Sequence, residues 1–331
     1  MQINHAILNI FDFTSSLAVY SEHELNLGDM PIHEYIAAHV MKGFKDPGCR
    51  TGFVSEHGTV GKWIKDYQSG DMSLVDLSKA LGERTFDYMK QATEPCVIDA
   101  ILCEATTDTP YLCFMLCQAH DAYTHQLISE EDGSLTTELI PHKAVLPNPS
   151  QKLRSFLSIR LHDLAVRLFE PKGEYDGEVV YILADKVLQI GTDQSSRDTV
   201  RKVRNIVDKV AEAHESDGVE ALAMTKSFIA KNAEVSDNLD PVRIVEEVFT
   251  NPIQQEAAKK HLEEQDMLRP LPLNREFATK VGQMHKIKPD TGIEISFPVE
   301  YMKKRDFIEI VTNDDGTLRV EIKNINKITN K

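Results

Sequence analysis

Apolar residues recur along the chain with two spacings, one typical of strands and one typical of helices. The first twenty residues predict two short strands, residues 3–10 and 17–20, joined by a turn. Residues 31–90 then carry apolar side chains at helical spacing, and Pro31 stands where a first helix would begin. From residue 96 to about residue 190, short β-rich runs alternate with turn residues, which predicts consecutive antiparallel strands.

The helical spacing returns in the second half of the chain. Val200, Val203, Val207 and Val210 share one stripe of a predicted helix, and a second helix follows the sequence ESDG, so the pair predicts an αα-hairpin. Two shorter helices, each opened by proline, and a helix over residues 275–284 come next. The closing segment predicts three strands, which are residues 292–297, 307–311 and 318–325.

These patterns predict an α+β protein with two domains. Residues 1–190 would combine helices with an antiparallel sheet, and residues 191–331 would combine a helical hairpin with a small three-stranded sheet. A length of 331 residues supports two domains, because single cores stop growing at about 250–300 residues. We expect a cytoplasmic protein without a membrane partner, because neither a signal peptide nor a run of about 18 apolar residues is present.

The charge is distributed unevenly along the chain. The net charge is −15, but the segment from Arg275 to the C-terminus carries two more basic than acidic residues. An acidic chain repels a phosphate backbone at long range. Direct binding of DNA would therefore need a local basic patch, and its affinity would fall steeply with salt.

Two groups of basic residues are candidates for contact with nucleic acid or with a protein partner. One group consists of Arg197, Arg201 and Arg204, which lie at i, i+4 and i+7 on a predicted helix. They could form a ridge that faces phosphates, but a solvated helix face is the favoured interpretation. The other group lies on or beside the predicted C-terminal sheet and could contact nucleic acid or the acidic surface of a partner; the alternative is that this sheet is an ordinary amphipathic sheet with a solvated charged face. The residues of this group are Lys286, Lys288, Lys303, Lys304, Arg305, Arg319, Lys323, Lys327 and Lys331.

No motif of catalysis or metal binding is present. The chain lacks a nucleophile elbow, a Walker loop and a G-x-G-x-x-G motif, and its histidines are scattered. The Asp-Gly pairs at 132–133 and 315–316 fail the EF-hand pattern and predict hairpin turns. Five cysteines in mostly apolar surroundings predict buried, reduced thiols. We therefore predict no catalytic residue, no metal and no cofactor, and hence a protein that is not an enzyme.

The closing segment carries a family resemblance. The run TGIEISFPVEYMKKRDFIEIVTNDDGTLRVEIKNINKI resembles the C-terminal signature of the bacterial 37-kDa nucleoid-associated protein family. The upstream phrases DLAVRLFE, VVYILADKVLQ and PLPLNREFATKVGQMHKIKPDTGIEI are also similar to that family. The resemblance implies association with the bacterial nucleoid and DNA topoisomerases as partners. It implies no catalytic residues.

Three hypotheses for the function follow from these observations. The leading one is a nucleoid-associated, non-enzymatic protein that acts mainly through protein partners, namely DNA topoisomerases or other nucleoid proteins. The second is direct binding of nucleic acid by the basic residues above. The third, ranked lowest, is a metal-dependent nuclease, because abundant Asp and Glu could supply a carboxylate pair. A homodimer through the αα-hairpin or a sheet edge is compatible with all three.

Overall fold

The computed structural model describes residues 1–92, 94–130, 132–302, 307–313 and 317–327. The chain divides into two compact units, Met1–Asp193 and Gln194–Lys331. The α+β class predicted from the sequence is confirmed, since helices accompany a mainly antiparallel set of sheets. No helix in the described ranges is both long enough and apolar enough to cross a bilayer.

The N-terminal unit is built on one seven-stranded sheet. The strands of the whole unit are β1 (Gln2–Asp12), β2 (Leu17–Val19), β3 (Arg50–Phe53), β4 (Val97–Thr106), β5 (Pro110–Gln118), β6 (His120–Ser129), β7 (Leu135–Val145), β8 (Ser155–Arg160), β9 (Ala165–Phe169), β10 (Gly173–Tyr175) and β11 (Glu178–Val180). The sheet order is β2-β1-β4-β5-β8-β9-β3, and every neighbouring pair in it is antiparallel. The predicted N-terminal pair of strands is confirmed as β1 and β2.

Helices cover both faces of this sheet. The helices are α1 (Met30–Lys45), α2 (Thr59–Ser69) and α3 (Leu74–Ala92). Alternate side chains of β4 enter two separate cores: Ile98 and Leu102 pack with α2 and α3, while Ile101 and Cys103 pack with α1. Because both faces are buried, the central strands read as continuous apolar runs rather than as an alternation.

The segment EVVYILADKVL corrects a sequence prediction. The spacing predicted strand structure throughout, but β11 ends at Val180 and residues Ile182–Leu188 form a π-helix. A short apolar run fits a buried strand and a buried helix equally well, so only tertiary contacts decide. The buried carboxylate of Glu170 accepts hydrogen bonds from the backbone N–H groups of Leu183 and Ala184, at 2.6 and 3.0 Å. These contacts satisfy donors that a helix start leaves unpaired.

Strands β6 and β7 are antiparallel, as predicted, but they do not join the main sheet. They form a separate two-stranded ribbon, because β5 pairs with β4 on one side and with β8 on the other. The Asp132–Gly133 turn joins them, and Gly133 has φ +83°, which confirms the predicted hairpin turn. The turn predicted at Asp315–Gly316 lies outside the described residues.

The C-terminal unit begins with the predicted αα-hairpin. Its helices are α4 (Ser196–Ala213), α5 (Gly218–Val235), α6 (Pro241–Val248), α7 (Pro252–Glu263) and α8 (Arg275–Gln283). Ser195 and Asp217 cap α4 and α5 by accepting backbone hydrogen bonds. The predicted valine stripe of α4 is buried, and it packs into the core of this unit with residues such as Ile229 and Ile244.

The strands of the C-terminal unit are short and pair two by two. They are β12 (Asn238–Leu239), β13 (Leu271–Pro272), β14 (Met284–Ile287), β15 (Ile295–Pro298), β16 (Ile308–Thr312) and β17 (Leu318–Ile322), with a 3-10 helix at Val299–Met302. The predicted three-stranded sheet is wrong for the described residues, where β14 pairs with β15 and β16 pairs with β17 in separate sheets. The difference has a local cause, because the residues just after α8 form the additional strand β14. The turn at Gly292, where φ is +85°, reverses the chain, so β15 pairs with β14 and not with a later strand.

Candidate functional site

The arginines predicted to form a ridge on α4 do not share one environment. Arg197 and Arg201 are exposed, whereas Arg204 is partly buried. The guanidinium of Arg201 pairs with the Asp198 carboxylate at 2.6 Å, in the first turn of the helix. The Nε atom of Arg204 is buried and has no hydrogen-bond partner. The spacing i, i+4, i+7 places all three arginines on one side of α4, but Arg204 is partly buried there, so the structure does not present the three as one continuous exposed basic surface.

Two further basic groups lie near Arg204, and the sequence analysis did not single them out. Lys226 of α5 is buried, and its Nζ donates a hydrogen bond to the Met284 carbonyl oxygen at 3.1 Å. Burial and the Arg204 charge lower the pKa of Lys226 to about 8. His285 of β14 is 3% exposed, and burial, Lys226 and Arg204 lower its pKa to about 4. Buried basic groups of this kind have no periodic signature in a sequence.

The first C-terminal hairpin, β14 with β15, carries two of the predicted contact lysines. Lys286 pairs across the hairpin with Glu294 at 3.0 Å. Lys288 follows β14, is exposed, and forms no ion pair with a described residue. Lys288 is therefore the cation of this hairpin that remains available to a phosphate or a carboxylate of a partner.

The second C-terminal hairpin, β16 with β17, has a face of mixed charge. Arg319 pairs with Glu321 at 3.0 Å, and Lys323 pairs with Glu309 and, at 3.7 Å, with Glu321. The register places Glu309 opposite Glu321, so the two basic side chains lie next to two carboxylates. The hydrogen bond to Glu309 raises the pKa of Lys323. The alternation of Arg319, Glu321 and Lys323 predicted for this strand thus produces a face on which positive charge is locally balanced.

The remaining predicted cations add little to a continuous patch in the described structure. Lys327 is exposed beyond β17. Lys303, Lys304 and Arg305, together with Lys331, lie outside the described residues. Exposed ion pairs are weak and can open when a competing anion approaches. Even so, a phosphate would have to displace a carboxylate from Arg201, Lys286, Arg319 or Lys323.

The β6–β7 ribbon presents an apolar surface that the sequence analysis missed. On one face of the ribbon lie four large side chains that are 59–72% exposed, which we call the ribbon face: Tyr123, Leu127, Leu135 and Leu139. Their odd numbering on two paired strands was a usable signal, because alternate residues of a strand share one face. The pattern alone does not indicate an uncovered face, because a strand with one apolar face is ordinarily half-buried.

Groups suited to metal binding or nucleophilic catalysis are not brought together. Among the described residues, no three His, Cys, Asp or Glu side chains are placed to hold a metal ion. The cysteines are unpaired thiols, and all but the half-buried Cys96 are buried, as predicted. Burial raises the pKa of Cys49 and of Cys117 to about 12, which keeps both thiols protonated at neutral pH.

Comparisons with known proteins agree with the resemblance seen in the closing segment. No curated protein shows significant similarity to the chain. The sequence profile of the NA37 family, described as nucleoid-associated protein YejK, matches residues 11–329, which is nearly the whole chain and includes both units. The chain therefore belongs to the NA37 family of bacterial nucleoid-associated proteins.

Proposed function

We propose that this nucleoid-associated protein reaches the chromosome mainly through protein partners, DNA topoisomerases among them, and that it is not an enzyme. One observation carries the proposal. In a chain of net charge −15, the described basic side chains of the C-terminal hairpins are mostly paired with carboxylates of the same hairpins. A surface of this kind offers little net attraction to a phosphate backbone.

The same electrostatics favour binding to proteins that themselves bind DNA. Such proteins carry basic surfaces, and an acidic chain is attracted to them at long range. Complementary potentials raise the rate of encounter and select the partner, while apolar contacts supply most of the affinity. An acidic protein with exposed apolar side chains meets both requirements.

Direct binding of DNA is the alternative, and the exposed positions of Lys288 and Lys327 favour it, since neither forms an ion pair with a described residue. A salt titration separates the two functions. Fluorescence anisotropy of a labelled DNA duplex should show no binding at about 150 mM salt, whereas purified bacterial DNA topoisomerases should bind under the same conditions.

Matched variants complete this test. The double variant K288Q/K327Q should bind topoisomerase like the wild type, and so should the control K62Q/K79Q, which removes the same charge from exposed positions of the N-terminal unit. Binding of duplex at about 150 mM salt that K288Q/K327Q abolishes and K62Q/K79Q retains would overturn the proposal in favour of direct DNA contact.

A further inference from the structure

The geometry points to the ribbon face as a docking surface for a basic protein segment with apolar side chains. This inference rests on the proposed function, since it names the surface and the partner chemistry through which a protein partner would be bound.

The ribbon face is too apolar for a surface that contacts only water. Tyr123, Leu127, Leu135 and Leu139 are 70%, 59%, 64% and 72% exposed. The register pairs Leu127 with Thr137, so Leu127 is the diagonal neighbour of Leu135 and Leu139 on the same face, and Tyr123 lies diagonal to Leu139. Contiguous exposed apolar side chains on a two-stranded ribbon are typical of an interaction site.

The ribbon has no folding role that explains these side chains. It lies outside the seven-stranded sheet, and none of the four contributes to the buried cores of the described residues. On the opposite face, Ile128 and Ile140 are half-buried, so the ribbon's internal packing lies there. An isolated two-stranded ribbon is marginally stable, and a partner on its open face would stabilise it.

The charge of the ribbon indicates the chemistry of the partner. Residues 120–145 contain five Asp or Glu residues and a single Lys or Arg. Glu130 and Asp132 lie at the tip and Asp121 lies in the bulge at the base, so acidic groups stand at both ends of the ribbon face. Hydrogen bonds from Ser134 lower the pKa of Asp132, which keeps this carboxylate ionised at neutral pH. Charge complementarity therefore requires basic groups on either side of the partner's apolar side chains.

The same charges argue against two other occupants. Nucleic acid would place phosphates next to the carboxylates of the tip. A second copy of the ribbon would place its carboxylates next to those of the first in either orientation, and these like charges would repel. In a parallel arrangement the two acidic tips would meet, and in an antiparallel arrangement the tip of each ribbon would meet the acidic base of the other. A basic, apolar protein segment avoids both conflicts.

Two labelled peptides probe this inference on the full-length protein. The first alternates leucine and lysine over ten residues, and the second alternates serine and lysine, so they share their charge but not their apolar side chains. We expect the leucine–lysine peptide to bind the wild type and the serine–lysine peptide to bind at least about tenfold more weakly in fluorescence anisotropy.

The variant L127S/L139S should lose at least about tenfold in affinity for the leucine–lysine peptide. The control Q126S/T136S changes two exposed residues on the opposite face and should bind like the wild type. E130Q/D132N keeps the ribbon face and removes charge, so it should bind more weakly, with a smaller salt dependence. Far-UV circular dichroism should be unchanged in all variants, because these side chains are exposed.

Equal binding of the peptide by the wild type and by L127S/L139S would overturn the inference. So would a concentration-dependent dimer in sedimentation that L127S/L139S converts to monomer, since the occupant would then be a second copy. The outcome for the proposed function is read separately: if topoisomerase binds the wild type and L127S/L139S equally, protein partnership stands and the ribbon face is not its surface.

Discussion

At the residue scale, the C-terminal unit contains basic groups in an apolar setting. Lys226 and His285 are both more than nine-tenths buried, and neither has a carboxylate partner among the described residues. Burying a charge without a partner is costly, so the neutral form of such a group is favoured. Burial, followed by the neighbouring positive charges, accordingly lowers the pKa of His285 to about 4.

The depressed pKa of His285 predicts a dependence of stability on pH. Between pH 6.5, the ordinary value, and about pH 4, the unfolded chain binds a proton at this site and the folded chain does not. The free energy of unfolding should therefore fall as the pH drops through this window, by about 1–2 kcal/mol once water screening is allowed for. Urea titrations followed by far-UV circular dichroism measure this change.

Substitution identifies the group responsible. His285→Gln should flatten the pH dependence between about pH 4 and 6.5, whereas His214→Gln, at an exposed position of the same unit, should leave it as in the wild type. A wild-type slope that persists in His285→Gln would show that another group titrates.

At the scale of elements, the close approach of α5 and α8 depends on a glycine. A Cβ atom built on Gly282 would stand 2.1 Å from the Ala230 Cβ and 3.0 Å from the Lys226 carbonyl oxygen. Neither atom is the end of a flexible side chain, so the helices would have to separate. The sequence shows only a glycine in a helical pattern, which ordinarily lowers helix propensity.

Gly282→Ala should therefore destabilise the protein by about 1–3 kcal/mol, although alanine is the better helix former. Gly218→Ala is the matched control, since its Cβ would meet nothing closer than 3.6 Å. Thermal unfolding followed by circular dichroism compares the two. A melting temperature of Gly282→Ala equal to that of the wild type would mean that α5 and α8 do not pack as closely as described.

Element type was largely predictable, whereas element partnership was not. The shared face of Arg319, Glu321 and Lys323 and the valine stripe of α4 follow directly from backbone periodicity, and both are found in the structure. The pairing of β14 with β15, the separation of the β6–β7 ribbon and the π-helix after β11 depend on contacts between distant residues. Periodicity specifies which face of a strand is apolar, but it does not specify what covers that face.

At the scale of the whole molecule, net charge and local ion pairing act together. The acidic chain opposes phosphate at long range, and the ion pairs of β16 and β17 reduce attraction at short range. The candidate residues were identified from the sequence by charge alone. The pairing of Lys323 with Glu309 is a consequence of the register between β16 and β17, which the sequence pattern left open.

Removal of those two carboxylates should expose a latent affinity for DNA. The variant E309Q/E321Q leaves Arg319 and Lys323 without these acceptors, so duplex binding at low salt should strengthen severalfold. The slope of log affinity against log salt should become steeper by at most about 1.8, the value for two extra phosphate contacts. Anisotropy titrations at several salt concentrations measure both quantities.

The control for this prediction removes the same charge elsewhere in the C-terminal unit. E247Q/E256Q changes exposed residues of α6 and α7 that form no ion pair with a described residue, and it should give a small, uniform increase in affinity without a steeper slope. If both variants behave alike, net charge alone limits DNA binding, and the ion pairs of the hairpin play no part.

The sequence by itself determined the α+β class, the positions of most helices and strands, the buried state of the thiols and the family resemblance in the closing segment. These properties depend on local periodicity, composition and residue identity, which a sequence contains. The tertiary structure alone decided which cations are paired, which basic groups are buried around Arg204, and that the apolar face of the β6–β7 ribbon is uncovered. The physical reason is that burial and pairing are properties of residues far apart in the chain, and only the folded backbone brings them together or keeps them apart.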